Sequence, residues 1–387
     1  MGLGAIVLAG GVGRRLTPIT KARPKPYLKI AGRRLYEYSI SHVSVVRPSI
    51  EKAVLVTPPG AGSPPDGVPS WIEVAEQEGE GISNGLRTGL EVLGGDVGEV
   101  LVSFTGFIAS PETMALQALE AYAASGFKSI MLVAPVSTGA ETYGFVDLEP
   151  GGKVKGYKKG VRLAWAGGRG YVFAGILVGD RSSIEVLAAS GFEEGLNKLA
   201  ESEALGASVW TGKWAEIAFP WDLLRAPSIL LSGMPAQIHS KAHIARTASI
   251  SGPVIVEEGA EVGENSVIRG PAYIGKNASI GSGAIISGSI VEDKAKIGAN
   301  SVVENSVVME SARVGSLSVV RSSIVGEAGV VGDVCVLQDG PPIGLPPGPA
   351  REAAEEIGVE NIVLGSIVAP RAKVGSLSSL DAGQVVE

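Results

Sequence analysis

Two hydrophobic rhythms divide this chain of 387 residues. In the first part, short apolar runs at 5–8, 53–57, 72–75, 100–104 and 130–136 are bounded by turn-forming or charged residues, the pattern of buried strands. Between them, 35–46 has helix-compatible spacing, and 112–125 carries apolar residues at helical spacing with many alanines. The run 58–69 is rich in turn residues. Alternating strands and helices predict an α/β domain with a mostly parallel sheet, which presents ligand-binding loops at its strand carboxyl ends.

From Ile244 the rhythm changes. Ile244, Ile250, Val256, Val262, Ile268, Ile274, Ile280 and Ile286 fall at a constant step of six. The phase shifts by one and Val291, Ile297 and Val303 continue; it slips back, and Val308, Val314 and Val320 follow, then Val325, Val331 and Leu337. Val368, Val374, Leu380 and Val386 resume the step at the end. This is the hexapeptide signature of a parallel β-helix, in which three short strands make one triangular coil and aliphatic side chains stack into a continuous core. The expected domains are therefore 1–232 and 233–387. The repeat is interrupted at 339–360, a Pro/Gly-rich stretch followed by a short amphipathic helix candidate at 350–357. The flat faces of such a helix favour self-association, so a homo-oligomer is expected.

Composition narrows the function. A net charge of −7 leaves no basic footprint for nucleic acid. One cysteine, Cys335, excludes an internal disulfide framework and fits a reducing compartment. No charged-then-apolar leader precedes Ala5, and no run is long enough to span a bilayer. These points lead us to expect a cytoplasmic protein without membrane partners.

Candidate chemistry is concentrated between Leu8 and Lys25. An apolar strand runs into Gly10, Gly11 and Gly13, followed by Arg14, Arg15, Lys21, Arg23 and Lys25. Glycines let the backbone approach a ligand, and N–H groups with cations behind them hold phosphates. The glycines alone would also fit an ordinary strand-to-helix turn with a solvated basic face. With Arg15 and Pro24-Lys25-Pro26, the stretch resembles the signature of sugar-1-phosphate nucleotidylyltransferases, matching Leu8 to Gly13, Arg15, Leu16, Pro18, Thr20 and Pro24 to Pro26. Arg14 stands where that family has threonine. The resemblance implies a Rossmann-like nucleotidyltransferase domain followed by a left-handed β-helix, often trimeric. It also implies that the loop wraps nucleotide phosphates, with Arg15 and Lys25 neutralising charge during transfer.

Other segments follow the family in part. Gln77 to Leu86 resembles its base-reading segment, in which Gln77 would reach the base and Gly81 would admit it; a Gly-rich turn with Ser83 as helix cap fits equally. The strand 100–104 ends in Gly106-Phe107 where active relatives carry Gly-Asp, whose aspartate binds a divalent metal. Phenylalanine offers no oxygen to a hard cation such as Mg²⁺. Tyr143-Gly144 resembles a sugar-side hairpin whose following glutamate is absent. Lys159 could supply the family lysine with a one-residue slip, although a solvated charged hairpin is the simpler reading. Phe173 replaces a sugar-contacting asparagine before Ala174-Gly175. In Trp214 to Leu224, Glu216 replaces the second metal aspartate, Ala218-Phe219 replaces Gly-Thr, and Asp222 reads as a helix cap.

The resemblance thus implies transfer from a nucleoside triphosphate to a sugar 1-phosphate, with the Mg²⁺ site incomplete at Phe107. The alternative is a catalytically silent sensor of nucleotides or nucleotide-sugars, one that could pair with an active paralogue. Acyl transfer by the β-helix is a third reading. Relatives that perform it use a histidine in a late coil, where this chain has Ser316. A serine hydroxyl is no general base near neutral pH. His42, His239 and His243 read as structural.

Overall fold

The computed structural model describes residues 2–64, 66–135, 144–159, 170–340 and 363–387. In the first part, β1 (Gly2–Leu8), β2 (Lys29–Ile30) and β3 (Arg33–Arg34) precede α1 (Leu35–Val45); β4 (Ile50–Thr57) and β5 (Ile72–Glu76) precede α2 (Ile82–Leu93); β6 (Val97–Phe104) and β7 (Phe107–Ser110) precede α3 (Met114–Ala124). Then come β8 (Ser129–Pro135), β9 (Gly144–Leu148), β10 (Val154–Lys159), β11 (Tyr171–Asp180), α4 (Arg181–Ser190), α5 (Phe192–Glu201), β12 (Leu205–Val209), β13 (Lys213–Glu216), α6 (Pro220–Leu223) and α7 (Ala226–Leu230).

The strands β5-β4-β1-β6 are parallel, and β11 extends them antiparallel to β6 while also pairing with β8 and β9. Apolar residues of β1, β4 and β6 are buried on both faces, as a sheet covered by helices requires. β1 lies between β4 and β6, so the glycine turn after Leu8 emerges at the carboxyl edge of the sheet. The antiparallel pair β7–β13 sets Glu216 directly opposite Phe107.

The second part is a left-handed β-helix of three parallel sheets. Its hexad residues, from Val256 through Ile286 and Val303 to Leu380, form one buried core. The phase does not slip back after Val303. One residue is dropped at the same corner of successive coils, from Ile286 to Val291, Val303 to Val308 and Val320 to Val325, so strands pair 17 residues apart. Gly288, Asn305 and Ser322 take φ of 59°, 47° and 43° at these tight corners. Ile324 pairs directly with Ile367, so the repeat continues in register across the interruption. The helix candidate at 350–357 lies outside the described residues, as does residue 136 of the expected fifth strand.

One sheet of the β-helix packs on the α/β part. Tyr273, Ile290, Val307, Ile324 and Ile367 share a buried cluster with Leu28, Ile30, Ile108 and Phe219. Salt bridges add to this contact. Lys21 pairs with Glu387 at 2.8 Å, Arg23 with Glu327, and Lys29 with Asp293. Lys21 and Arg23, which in sequence look like phosphate ligands, therefore face the β-helix.

Candidate functional site

The carboxyl edge of the sheet opens into a cleft of about 480 Å³. Leu8, Gly10, Gly11, Gln77 and Gly81 line one side, Arg15, Lys25 and Glu216 another, and Phe107, Gly144, Tyr157 and Lys159 a third. The cleft thus gathers most of the residues singled out from the sequence.

The glycine turn folds back over the lysine. Gly13 has φ of 82°, and a Cβ there would come within 2.6 Å of the Lys25 Cβ. Thr20 Oγ1 donates to Gly13 O at 2.9 Å, and Lys25 N donates to Val12 O at 3.2 Å, fixing the loop on itself. Lys25 is half-buried in the cleft wall, and desolvation holds its ammonium below the usual lysine range; the Glu216 carboxylate opposes this shift and Arg15 adds to it. The Arg15 guanidinium lies over the Phe219 ring, 4.9 Å from its centroid, and 3.9 Å from Glu216 Oε1. Phe219 in turn stacks on Trp221 at 4.5 Å.

Arg14 is outside the cleft lining, and its exposed guanidinium pairs with both carboxylate oxygens of Glu80 at 2.8 and 2.7 Å. Gln77 is buried against Gly10 and donates to Gly79 O at 2.7 Å. Ser83 is not the cap of α2. Gly81 holds that position with φ of 103°, and Ser83 Oγ, a residue inside the first turn, donates to Leu187 O at 3.1 Å. Asp222 does cap: its Oδ2 accepts from the N–H groups of Ala218 and Phe219 at 2.9 and 2.7 Å. It does so from the third position of α6, and burial pushes its carboxyl up to about 6 despite those bonds.

The hairpin β9–β10 is only partly the solvated element expected. Tyr157 is buried, while Lys159 is exposed at the cleft rim. Gly175 lies behind the wall with φ of 88°; a Cβ there would meet Phe107 Cγ at 2.3 Å, so the Phe107 ring is seated in the space glycine leaves. Tyr143 lies outside the described residues.

A divalent cation needs several oxygen ligands. Opposite Glu216 stands the Phe107 ring, stacked with Trp214 at 6.3 Å, and Glu216 itself is turned to Arg15. The other nearby carboxylate, Asp222, is committed to its two N–H groups. Among the described residues, no group of three His, Cys, Asp or Glu could hold a metal ion. These side chains do not fit the Mg²⁺ site that the resemblance implies.

Sequence reasoning missed the rings of Phe104 and Phe192, which line the cleft from β6 and α5. No local pattern distinguishes them from ordinary core residues. Ser316 sits in a β-helix corner with its N–H on Asp333 Oδ1 at 2.7 Å, far in sequence from any histidine. His42 is buried in α1, and burial pushes its imidazole down to about 4. No described helix is long and apolar enough to cross a membrane.

Comparison with known proteins agrees with this geometry. Residues 4–158 match the nucleotidyl transferase family model, and residues 250–346 match that of the GMPPB C-terminal domain. The bifunctional protein GlmU of Methanococcus maripaludis (strain C5) is 27% identical over 275 residues, covering 66% of this chain and 61% of that protein. GlmU of Methanococcus vannielii is 27% identical over 283 residues, with the same coverage, and GlmU of Methanocaldococcus jannaschii 26% over 264 residues, covering 66% and 60%. The chain spans about three fifths of the length of these curated relatives. With a nucleotidyl transferase domain, a β-helix behind it and the glycine turn in the first domain's own cleft, the chain is similar to the sugar-1-phosphate nucleotidyltransferases.

Proposed function

We propose that this protein binds a nucleoside polyphosphate or nucleotide-sugar and that its transfer chemistry is absent or very slow. The observation that carries the reading is the ladder position of Phe107, opposite a Glu216 carboxylate already turned to Arg15. In this reading Leu8, Gly10, Gly11 and Gly13 wrap the phosphates, and Arg15 and Lys25 supply charge. Gln77 and Gly81 meet the base. Gly144 and Lys159 form the far side, with Gly175 behind it; the resemblance assigns Tyr143 to the same role. Residues 1–232 act as the nucleotide-binding unit, and the β-helix, 233–387, as scaffold and self-association face. The protein is cytoplasmic, a homo-oligomer, and a partner for an active paralogue.

Arg14 has a specific part. Released from Glu80 by a polyphosphate, its guanidinium would supply some of the charge that a metal would otherwise bring. Binding is then expected without Mg²⁺. Calorimetry with the common nucleoside triphosphates, in EDTA and in Mg²⁺, tests this; a strict Mg²⁺ requirement overturns it. A pyrophosphate-release assay over nucleoside triphosphates and sugar 1-phosphates, run beside thermal shifts with nucleotide-sugars, tests the rest. Stabilisation without turnover is expected, whereas rapid turnover would restore the catalytic reading. Acyl transfer finds no support at Ser316.

A further inference from the structure

The cleft has two chemically unlike ends. Arg15, Lys25 and the glycine turn make one end cationic. The other is walled by rings. Phe104 and Phe173 are 5.0 Å apart, Phe104 and Phe192 5.1 Å, Phe173 and Phe192 5.6 Å, and Phe107 and Phe173 5.9 Å. Tyr157 meets Phe192 edge-on at 5.7 Å. All five line the cleft while only 5–9% exposed, so each shows the ligand a ring surface and little else.

Among the described residues polar groups at this end are few, the Glu216 carboxylate opposite Phe107 being turned to Arg15. The Tyr157 hydroxyl lies against the Gly144 backbone, where a Cβ would come within 2.0 Å of it. Thr105 presents a hydroxyl with no partner among the described residues, and Lys159 stands at the rim. A hexosyl group brings several hydroxyls, and each one buried without a partner costs about 1–3 kcal/mol. An apolar or aromatic group meets the same wall with favourable ring contacts, worth about 0.5–1.5 kcal/mol per pair beyond area burial.

We propose that the cleft takes a nucleoside diphosphate whose terminal phosphate carries an apolar, aryl-type group, its phosphates on Arg15 and Lys25 and its apolar group against Phe107 and Phe173. This rests on the reading that the cleft binds nucleotides. A hydrated hexosyl group is disfavoured by the wall, which makes the five rings the residues that set specificity.

The test uses the full chain and isothermal calorimetry with three probes for each of the four common bases: the free nucleoside diphosphate, its glucosyl ester and its phenyl ester on the terminal phosphate. For the base that binds, the phenyl ester is expected to be at least about tenfold tighter than the glucosyl ester, a difference of about 1.4 kcal/mol. Phe173→Asn should shrink that ratio, and Phe107→Leu, which removes one ring contact but keeps the wall apolar, should shrink it less. If the free diphosphate binds but the glucosyl ester equals or exceeds the phenyl ester, the inference is wrong and the nucleotide reading stands. If no diphosphate binds to the wild-type chain, the nucleotide reading fails and this inference with it. The wild-type ratio decides even if a variant does not fold.

Discussion

Arg15 is held between a ring and a carboxylate, Phe219 and Glu216, and both are departures from the family pattern in the segment Trp214 to Leu224. The glycine-turn motif made Arg15 and Lys25 legible in the sequence, because their spacing from the glycines is local. The roles of Lys21 and Arg23 were not legible, because their partners Glu387 and Glu327 lie on distant coils. Two predictions belong at this scale. Desolvation holds Lys25 below its ordinary range, and a bound polyphosphate would favour its charged form. Nucleotide binding should therefore take up a proton at alkaline pH and weaken as pH rises. Calorimetry in two buffers of different ionisation enthalpy reads that proton, and Lys25→Arg should abolish its uptake. The Arg14–Glu80 pair is exposed and competes with any anion for Arg14. Glu80→Gln should tighten nucleotide binding by about two- to fivefold and Arg14→Thr should weaken it similarly, with stability barely changed.

At the level of elements, the hexads could be read almost to the residue, since one inward aliphatic side chain per strand is a one-dimensional constraint. What could not be read was the shortened corner, where the count falls to five because the turn, not the core, absorbs the loss. Ile286→Ala, in the stacked core, should cost about 2–5 kcal/mol by denaturant unfolding. The hairpin β2–β3 is a second case. Its turn residues Ala31 and Gly32 offer backbone N–H groups to the buried Glu292 of the β-helix, the Gly32 bond being 3.1 Å. Burial pushes this carboxyl up to about 8. Asp293 raises it further, Lys29 and the two N–H groups oppose, and Tyr38, Tyr273 and Glu257 surround the same junction. A carboxyl raised in the folded state favours folding at low pH, and that contribution declines as pH climbs from its ordinary 4.5 to about 8. Glu292→Gln should flatten the fall of Tm across that window and leave the variant more stable than wild type above it.

At the scale of the molecule, the two parts share a core and cannot be treated as beads on a string. The rhythm change revealed that two architectures exist. It gave no sign that Tyr273, Ile290 and Ile324 would be capped by Leu28, Ile30 and Phe219, because outward positions of a β-helix obey no fixed hydrophobic rule. Residues 1–232 expressed alone should bind a hydrophobic dye and aggregate, whereas the full chain should unfold without an early transition of its first part; calorimetry and dye fluorescence check both.

The pairs Lys29–Asp293 and Arg23–Glu327 join residues 264 and 304 positions apart. During synthesis, the segment flanking Lys25 therefore waits for coils made more than 260 residues after it. The sheet can form early, but the grip on an anion matures late, and a ribosome stalled before residue 293 would carry a folded sheet with a loose phosphate loop.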